Sequence, residues 1–213
     1  MKRLKKTRTL TLFLIGCYLI TSGFSPKGDK LDLASVSGNF VVIGFHDNLN
    51  SNYYPKNMIA EKMGLGTEIL DTLVNNLFLK EISSVKSSRF RFVCPSKDKE
   101  YMNLLGQIQY TGADDEKYTD ISGVNNASLN LLLNKYNSEY IICFSQYYFK
   151  KQEKPFPTMF HIINYTIYNQ QKKELIKGKV YTNTFDLVNL DEFESLLKKN
   201  AKKYISSIEK ELH

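Results

Sequence analysis

Apolar residues recur along the chain at two periods, and the switches between them lay out the elements. Phe40-Val41-Val42-Ile43-Gly44-Phe45 is an unbroken apolar run rich in β-branched residues, closed by His46-Asp47-Asn48. Such a run predicts a strand covered on both faces. A polar, Asn-rich loop follows. From Thr67 the spacing changes: Ile69, Leu70, Leu73, Val74 and Leu77 recur at helical intervals, with Gly66 or Thr67 near the N-cap. Arg89 to Cys94 reads as a second strand, stopped by Pro95-Ser96, and Asp98 to Ile108 as a short helix carrying Met102, Leu104, Leu105 and Ile108. Tyr110 to Gly123 reads as an acidic loop.

Asn125 to Ser128 opens a further helix through Leu129, Leu131, Leu132 and Tyr136, ended by Asn137-Ser138. Three strand-like stretches come next, Tyr140 to Phe149, Met159 to Tyr168 and Leu175 to Phe185, the last two joined by a hairpin loop at Asn169 to Lys173. In the third, Lys177, Lys179, Tyr181 and Asn183 alternate with Ile176, Val180 and Thr182, so one face is wet. Asp191 to Leu212 is the clearest helix. Asp191 is placed as N-cap, Glu194 at the capping-box position and Leu190 as a staple. Phe193, Leu196, Leu197, Ala201, Tyr204, Ile205, Ile208 and Leu212 form its apolar stripe, and Lys198, Lys199, Lys202 and Lys203 face away.

This order predicts an α/β fold, with α+β as the alternative: a single three-layer-like domain, a mixed sheet of about five strands, and a long C-terminal amphipathic helix. A chain of 213 residues with 42% hydrophobic content is long enough for one well-buried core and short for two.

The N-terminus has a different character. Lys2, Arg3, Lys5, Lys6 and Arg8 precede the apolar run Leu10 to Ile20, a basic segment and an apolar segment of signal-peptide type. The run is shorter than the ~20 residues a spanning helix needs. Two processing sites compete. Leu14-Ile15-Gly16-Cys17 resembles a bacterial lipobox, in which the cysteine is acylated and becomes the new N-terminus. Thr21-Ser22-Gly23 offers small residues for ordinary signal cleavage, and an uncleaved anchor is the third reading. The layout is therefore a signal peptide over 1–23, or a lipoprotein signal over 1–16 with Cys17 lipidated, a tether over 24–38, and the α/β domain over 39–213.

Charge then changes its meaning. The formal net charge of +7 falls to +2 once those five basic residues are set aside, so the domain lacks the excess that non-specific nucleic-acid binding requires. With Cys17 lipidated or removed, Cys94 and Cys143 remain, and an exported protein could join them in a disulfide or bury two separate thiols.

Leu129 to Phe144, a helix followed by Glu139-Tyr140-Ile141, and the hairpin from Tyr165-Thr166-Ile167-Tyr168-Asn169 through Lys173 to Gly178 resemble one family group. It comprises the α/β domains of bacterial envelope proteins related to the amino-terminal domain of TolB and to the curli-assembly lipoproteins. The resemblance spans about 39–185. Ser145-Gln146 stand where that group usually has a glycine, and no pore-forming hairpin is evident, so pore formation is not implied. What it implies is an envelope-resident, non-catalytic module that works through protein contacts.

The candidate chemistry is sparse. His46-Asp47, at the end of the first strand, could share a cleft with Cys94, and a Cys–His pair would make a secreted hydrolase or thiol enzyme the alternative. No nucleophile motif surrounds them. His161 reads as a surface or core-edge histidine, and His213 is terminal. Asp114, Asp115, Glu116 and Asp120 lack the spacing of a calcium loop, and no phosphate loop, zinc cluster or other cofactor motif is present. Tyr53, Tyr54, Tyr147, Tyr148, Tyr165 and Tyr168 would serve a glycan-binding protein if three or more shared an exposed patch; otherwise they are sheet packing. The expectation is an exported envelope protein that binds an envelope protein partner, held to the membrane by a lipid if Cys17 is acylated.

Overall fold

The computed structural model describes residues 36–212, so the signal segment, Cys17 and His213 lie outside the described residues. The strands are β1 (Gly38–Ile43), β2 (Leu49–Ser51), β3 (Phe90–Val93), β4 (Gln109–Thr111), β5 (Tyr118–Asp120), β6 (Ser138–Gln152), β7 (Thr158–Asn169) and β8 (Glu174–Thr184). The helices are α1 (Lys56–Met63), α2 (Thr67–Ser84), α3 (Lys99–Leu105), α4 (Asn126–Lys135) and α5 (Leu190–Glu211). The main sheet runs β3-β1-β6-β7-β8, with β2 beside the outer half of β6. Its β3, β1 and β6 are parallel, and β7 and β8 continue antiparallel.

Helices cover both faces of the parallel half. Phe40, Val42 and Phe45 face α1, α2 and α5 in one core cluster, whereas Val41 and Ile43 face α3 and α4 in the other. The single α/β domain with a long C-terminal helix is as the pattern predicts. Period-2 alternation sends successive β1 side chains into opposite cores, which is why its sequence is apolar without interruption.

Several details differ from the sequence reading. The domain reaches back beyond Asn39: Val36 is buried, and Arg89 donates to its carbonyl at 2.7 Å. The loop after β1 contains β2 and α1, the latter closed by Gly64 in the left-handed conformation at φ 70°. The acidic loop is a two-stranded ribbon, β4–β5, around a 3-10 turn at Asp114–Glu116. Along α2 the buried stripe is Leu70, Val74, Phe78, Leu79 and Ile82, rotated off Ile69, which is exposed. The cap of α5 is Asn189, whose side chain accepts the Glu192 N–H at 2.9 Å, and Asp191 falls inside the first turn. A bulge at Phe144–Gln146 lets Phe144 and Tyr147 face the same core. Ser145 and Gln146 both turn the other way, toward the ribbon.

Candidate functional site

Open α/β sheets place ligands beyond the carboxyl ends of their parallel strands, where helices diverge to opposite faces. Here β1 runs out into Gly44, Phe45 and His46, and β3 into Cys94, Pro95 and Ser96. A cavity of about 370 Å³ opens at that point between α2 and α3, lined by His46, Asp47, Asp71, Asn75, Ser96 and Tyr101 among others.

Each wall is held by a specific bond. Asn75, buried on α2, accepts the His46 backbone N–H at 3.2 Å through Oδ1 and so fixes the strand exit, where His46 sits at φ 49°. Asp71, one turn earlier, accepts the Leu49 N–H at 3.1 Å, and both its carboxylate oxygens lie 2.9 Å from Lys56 Nζ. The Tyr101 hydroxyl, on α3, receives the Gly44 N–H at 3.4 Å from the opposite side. Burial pulls the His46 imidazole below its ordinary pKa, against the opposing pull of Asp47, so it is neutral at physiological pH. Its Nε2 is buried with no protein group to bond among the described residues. A second hollow, about 470 Å³ between α1 and the β8–α5 loop, is lined by Tyr54, Met58, Glu61, Lys62, Asp186 and Leu187. It has no such convergence of strand ends.

The structure brings His46 and Asp47 into one cleft but leaves Cys94 out of it. The Cys94 thiol turns to the α2 side and donates to the Leu79 carbonyl at 3.6 Å, and burial pushes its pKa up to about 12. An activated thiol requires the opposite shift. Cys143 belongs to the other core cluster, is fully buried and is likewise pushed up to about 12. Both cysteines are free thiols, the second of the two alternatives the sequence left open: Cys143 sits in one core and Cys94 packs against the other, on the opposite face of the sheet.

Other expectations resolve residue by residue. His161 is not at a surface or an edge. It lies in the core between Tyr147 Oη at 3.0 Å and Thr184 Oγ1 at 2.9 Å, because the face it shares with Met159 and Ile163 is roofed by α5. Tyr147, Tyr148, Tyr165 and Tyr168 are buried, and of the six tyrosines singled out only Tyr53 is exposed, so no glycan-binding patch forms from them. In the ribbon, Asp115 lies 2.9 Å from Lys150, Glu116 pairs with Lys179, and Asp120 accepts the Ser122 N–H. Among the described residues no cluster of His, Cys, Asp and Glu is placed to hold a metal ion, and no helix is long and apolar enough to cross a membrane. Sequence reasoning missed Asp71, Asn75 and Tyr101. Asn75 was the detectable one, a polar residue flanked by Val74 and Phe78 on a helix face that reads as apolar.

No protein-family model matches the chain, and no curated protein matches it. Among solved structures it is similar to a hypothetical protein of Chlamydia trachomatis, at 7% identity and a TM-score of 0.44, over 80% of this chain and 96% of that one. It is also similar to PelC from Paraburkholderia phytofirmans, solved as a dodecamer, at 5% identity and a TM-score of 0.33, over 77% of this chain and 86% of that one. Likenesses this distant say nothing about ligand or partner.

Proposed function

We propose that this chain is an exported protein of the bacterial cell envelope, tethered through an acylated Cys17, that acts by binding another envelope component and not by catalysis. The basic and apolar N-terminal segments and the Leu14-Ile15-Gly16-Cys17 motif support the address. The resemblance to the TolB amino-terminal and curli-assembly lipoprotein domains points the same way.

One observation carries the binding role: Cys94, the thiol the sequence pairs with His46-Asp47, is turned away from their cleft and held protonated by burial. Hydrogen-bonding groups, Asp47, Thr72, Asn75, Asn76 and Ser96, line the cleft beside the apolar Leu79 and Met102, on a frame braced from both helix layers. Preformed polar groups in a concave site suit recognition of a polar ligand or a partner's side chains.

Two measurements test this reading. Intact mass of the protein extracted from bacterial membranes should show an N-terminus at Cys17 bearing acyl chains, and Cys17→Ser should move it from the membrane fraction to the soluble one. A full-length cytosolic product with residues 1–23 in place would defeat the address. A photo-crosslinking residue at Thr72, on the exposed rim of the cleft, should give one discrete envelope adduct that Asn75→Leu weakens. Absence of any adduct would defeat the binding role.

A further inference from the structure

The two edges of the main sheet are unequal. β3 ends it on one side with four residues, a length that leaves little to pair with. β8 ends it on the other with eleven, about twice the common strand length. Among the described residues no strand pairs with the outer side of β8, so alternate backbone N–H and C=O groups along it point away from β7 without a ladder partner. β8 contains no proline. An open edge of that length is a template for another strand unless the protein guards it.

Lysines outnumber carboxylates along this edge. The exposed Lys177 and the half-buried Lys179 share one face of the strand with Tyr181 and Asn183, and Lys172 and Lys173 lie in the turn that precedes it. Lys177 lies over the Tyr118 ring at 4.3 Å, and Lys172 points to the carbonyls of Ser122 and Val124, so these contacts leave both positive charges uncancelled. Lys179 pairs with Glu116 and stands 3.8 Å from Asp115, which it shares with Lys150; Glu174 is the one acid within the strand. Positive charge is in excess along the edge. A second copy pairing antiparallel about Gly178 would set Lys177 against Lys179 of its neighbour, which like charges oppose. A strand carrying carboxylates at alternate positions meets Lys177 favourably and competes with Glu116 and Asp115 for Lys179. Tyr181, 63% exposed, and Phe185, 89% exposed just beyond the strand, offer it apolar contact.

We propose that β8 is a docking edge for an extended acidic segment of a partner protein, which joins the sheet as an additional strand. The inference rests on the chain being a binding module but not on its cellular address or on the cleft, so the purified protein suffices to test it.

The probes are three peptides of β8's length: one alternating valine with glutamate, one alternating valine with lysine, and the glutamate peptide with prolines at alternate valines. Hydrogen–deuterium exchange should show fast exchange at alternate amides of residues 174–184 in the protein alone, slowed by the glutamate peptide and unchanged by the proline peptide. The glutamate peptide should bind about tenfold more tightly than the lysine peptide at low salt, as a few surface ion pairs allow. Lys177→Glu with Lys179→Glu should invert that preference while far-ultraviolet circular dichroism stays unchanged. Three results overturn the proposal. Equal binding of the two charged peptides is one. Protection of both sets of β8 amides before any peptide is added is another, because the edge is then already covered. Protection that grows with protein concentration is the third, because the occupant is then a second copy.

Discussion

Asn75 Oδ1 accepts the His46 backbone N–H at 3.2 Å and also fills the space beside Gly44, where an added Cβ would lie 2.1 Å from it. That Cβ would also lie 3.0 Å from Leu79 Cδ1, so both side chains crowd it. Gly44→Ala must therefore push Asn75 off His46 and leave a partly buried N–H without that partner. Overpacking of this kind costs about 1–3 kcal/mol. Chemical denaturation should show that loss for Gly44→Ala and a comparable one for Asn75→Ala, with the double variant well below their sum because both break one contact. Additive losses would mean that the contact does not organise the strand exit.

His161 sets a pH dependence. Burial lowers its pKa from 6.5 to about 4, while the unfolded chain keeps the ordinary value. The unfolded state therefore binds the proton first as pH falls, so stability is full above pH ~6.5 and declines toward pH ~4, by up to ~3 kcal/mol. His46, lowered in the same direction, adds to the slope. His161→Gln should be less stable at pH 7, since Tyr147 and Thr184 lose their bridge, yet should lose less on going from pH 7 to pH 5. Equal slopes for the two proteins would remove His161 as the source.

The thiols should be silent in the native state. Cys94 and Cys143 are both held protonated by burial, and only the thiolate alkylates readily. Iodoacetamide at pH 8, followed by peptide mapping to separate them from Cys17, should label neither until denaturant is added. Cys94, half-buried, should precede Cys143 as denaturant rises. Rapid native labelling of Cys94 would reopen the thiol-enzyme reading.

The legible parts of this fold are those where one period runs long enough to leave no alternative. Along α5 the stripe from Phe193 to Leu212 repeats over nearly the whole 22-residue helix, and the structure buries all of it but the partly exposed Leu196. Its cap lies two residues ahead of the expected Asp191 because Asn189 and Asp191 are equally good cap types, and only the backbone turn decides which side chain reaches an N–H. The α2 stripe is rotated from the expected one because Phe78, Leu79 and Ile82, in its C-terminal half, set which face turns inward. β4 and β5, three residues each, are too short for periodicity to register. The cleft is half legible: the end of β1 stands out in the sequence, but its meeting with Asp71, Asn75 and Tyr101 depends on which strands neighbour β1. No local pattern encodes that.

The β4–β5 ribbon tests whether buried hydrogen bonds or visible ion pairs hold a polar segment to a sheet. Asn164, fully buried on β7, donates through Nδ2 to the carbonyls of Asp115 and Lys117, both at 2.9 Å, and Gln146 Nε2 donates to the Asp114 carbonyl at 2.8 Å. Above them the Lys150–Asp115 pair lies at 2.9 Å with the lysine side chain 46% exposed. Exposed pairs contribute about 0–1 kcal/mol, whereas a buried group stripped of its partner costs about 1–3 kcal/mol. Asn164→Ala should thus cost about 2–3 kcal/mol and speed exchange across residues 113–119, and Lys150→Gln should cost less than about 1 kcal/mol and leave that exchange slow. If Lys150→Gln or high salt frees the ribbon instead, the ion pairs hold it and the buried amides follow.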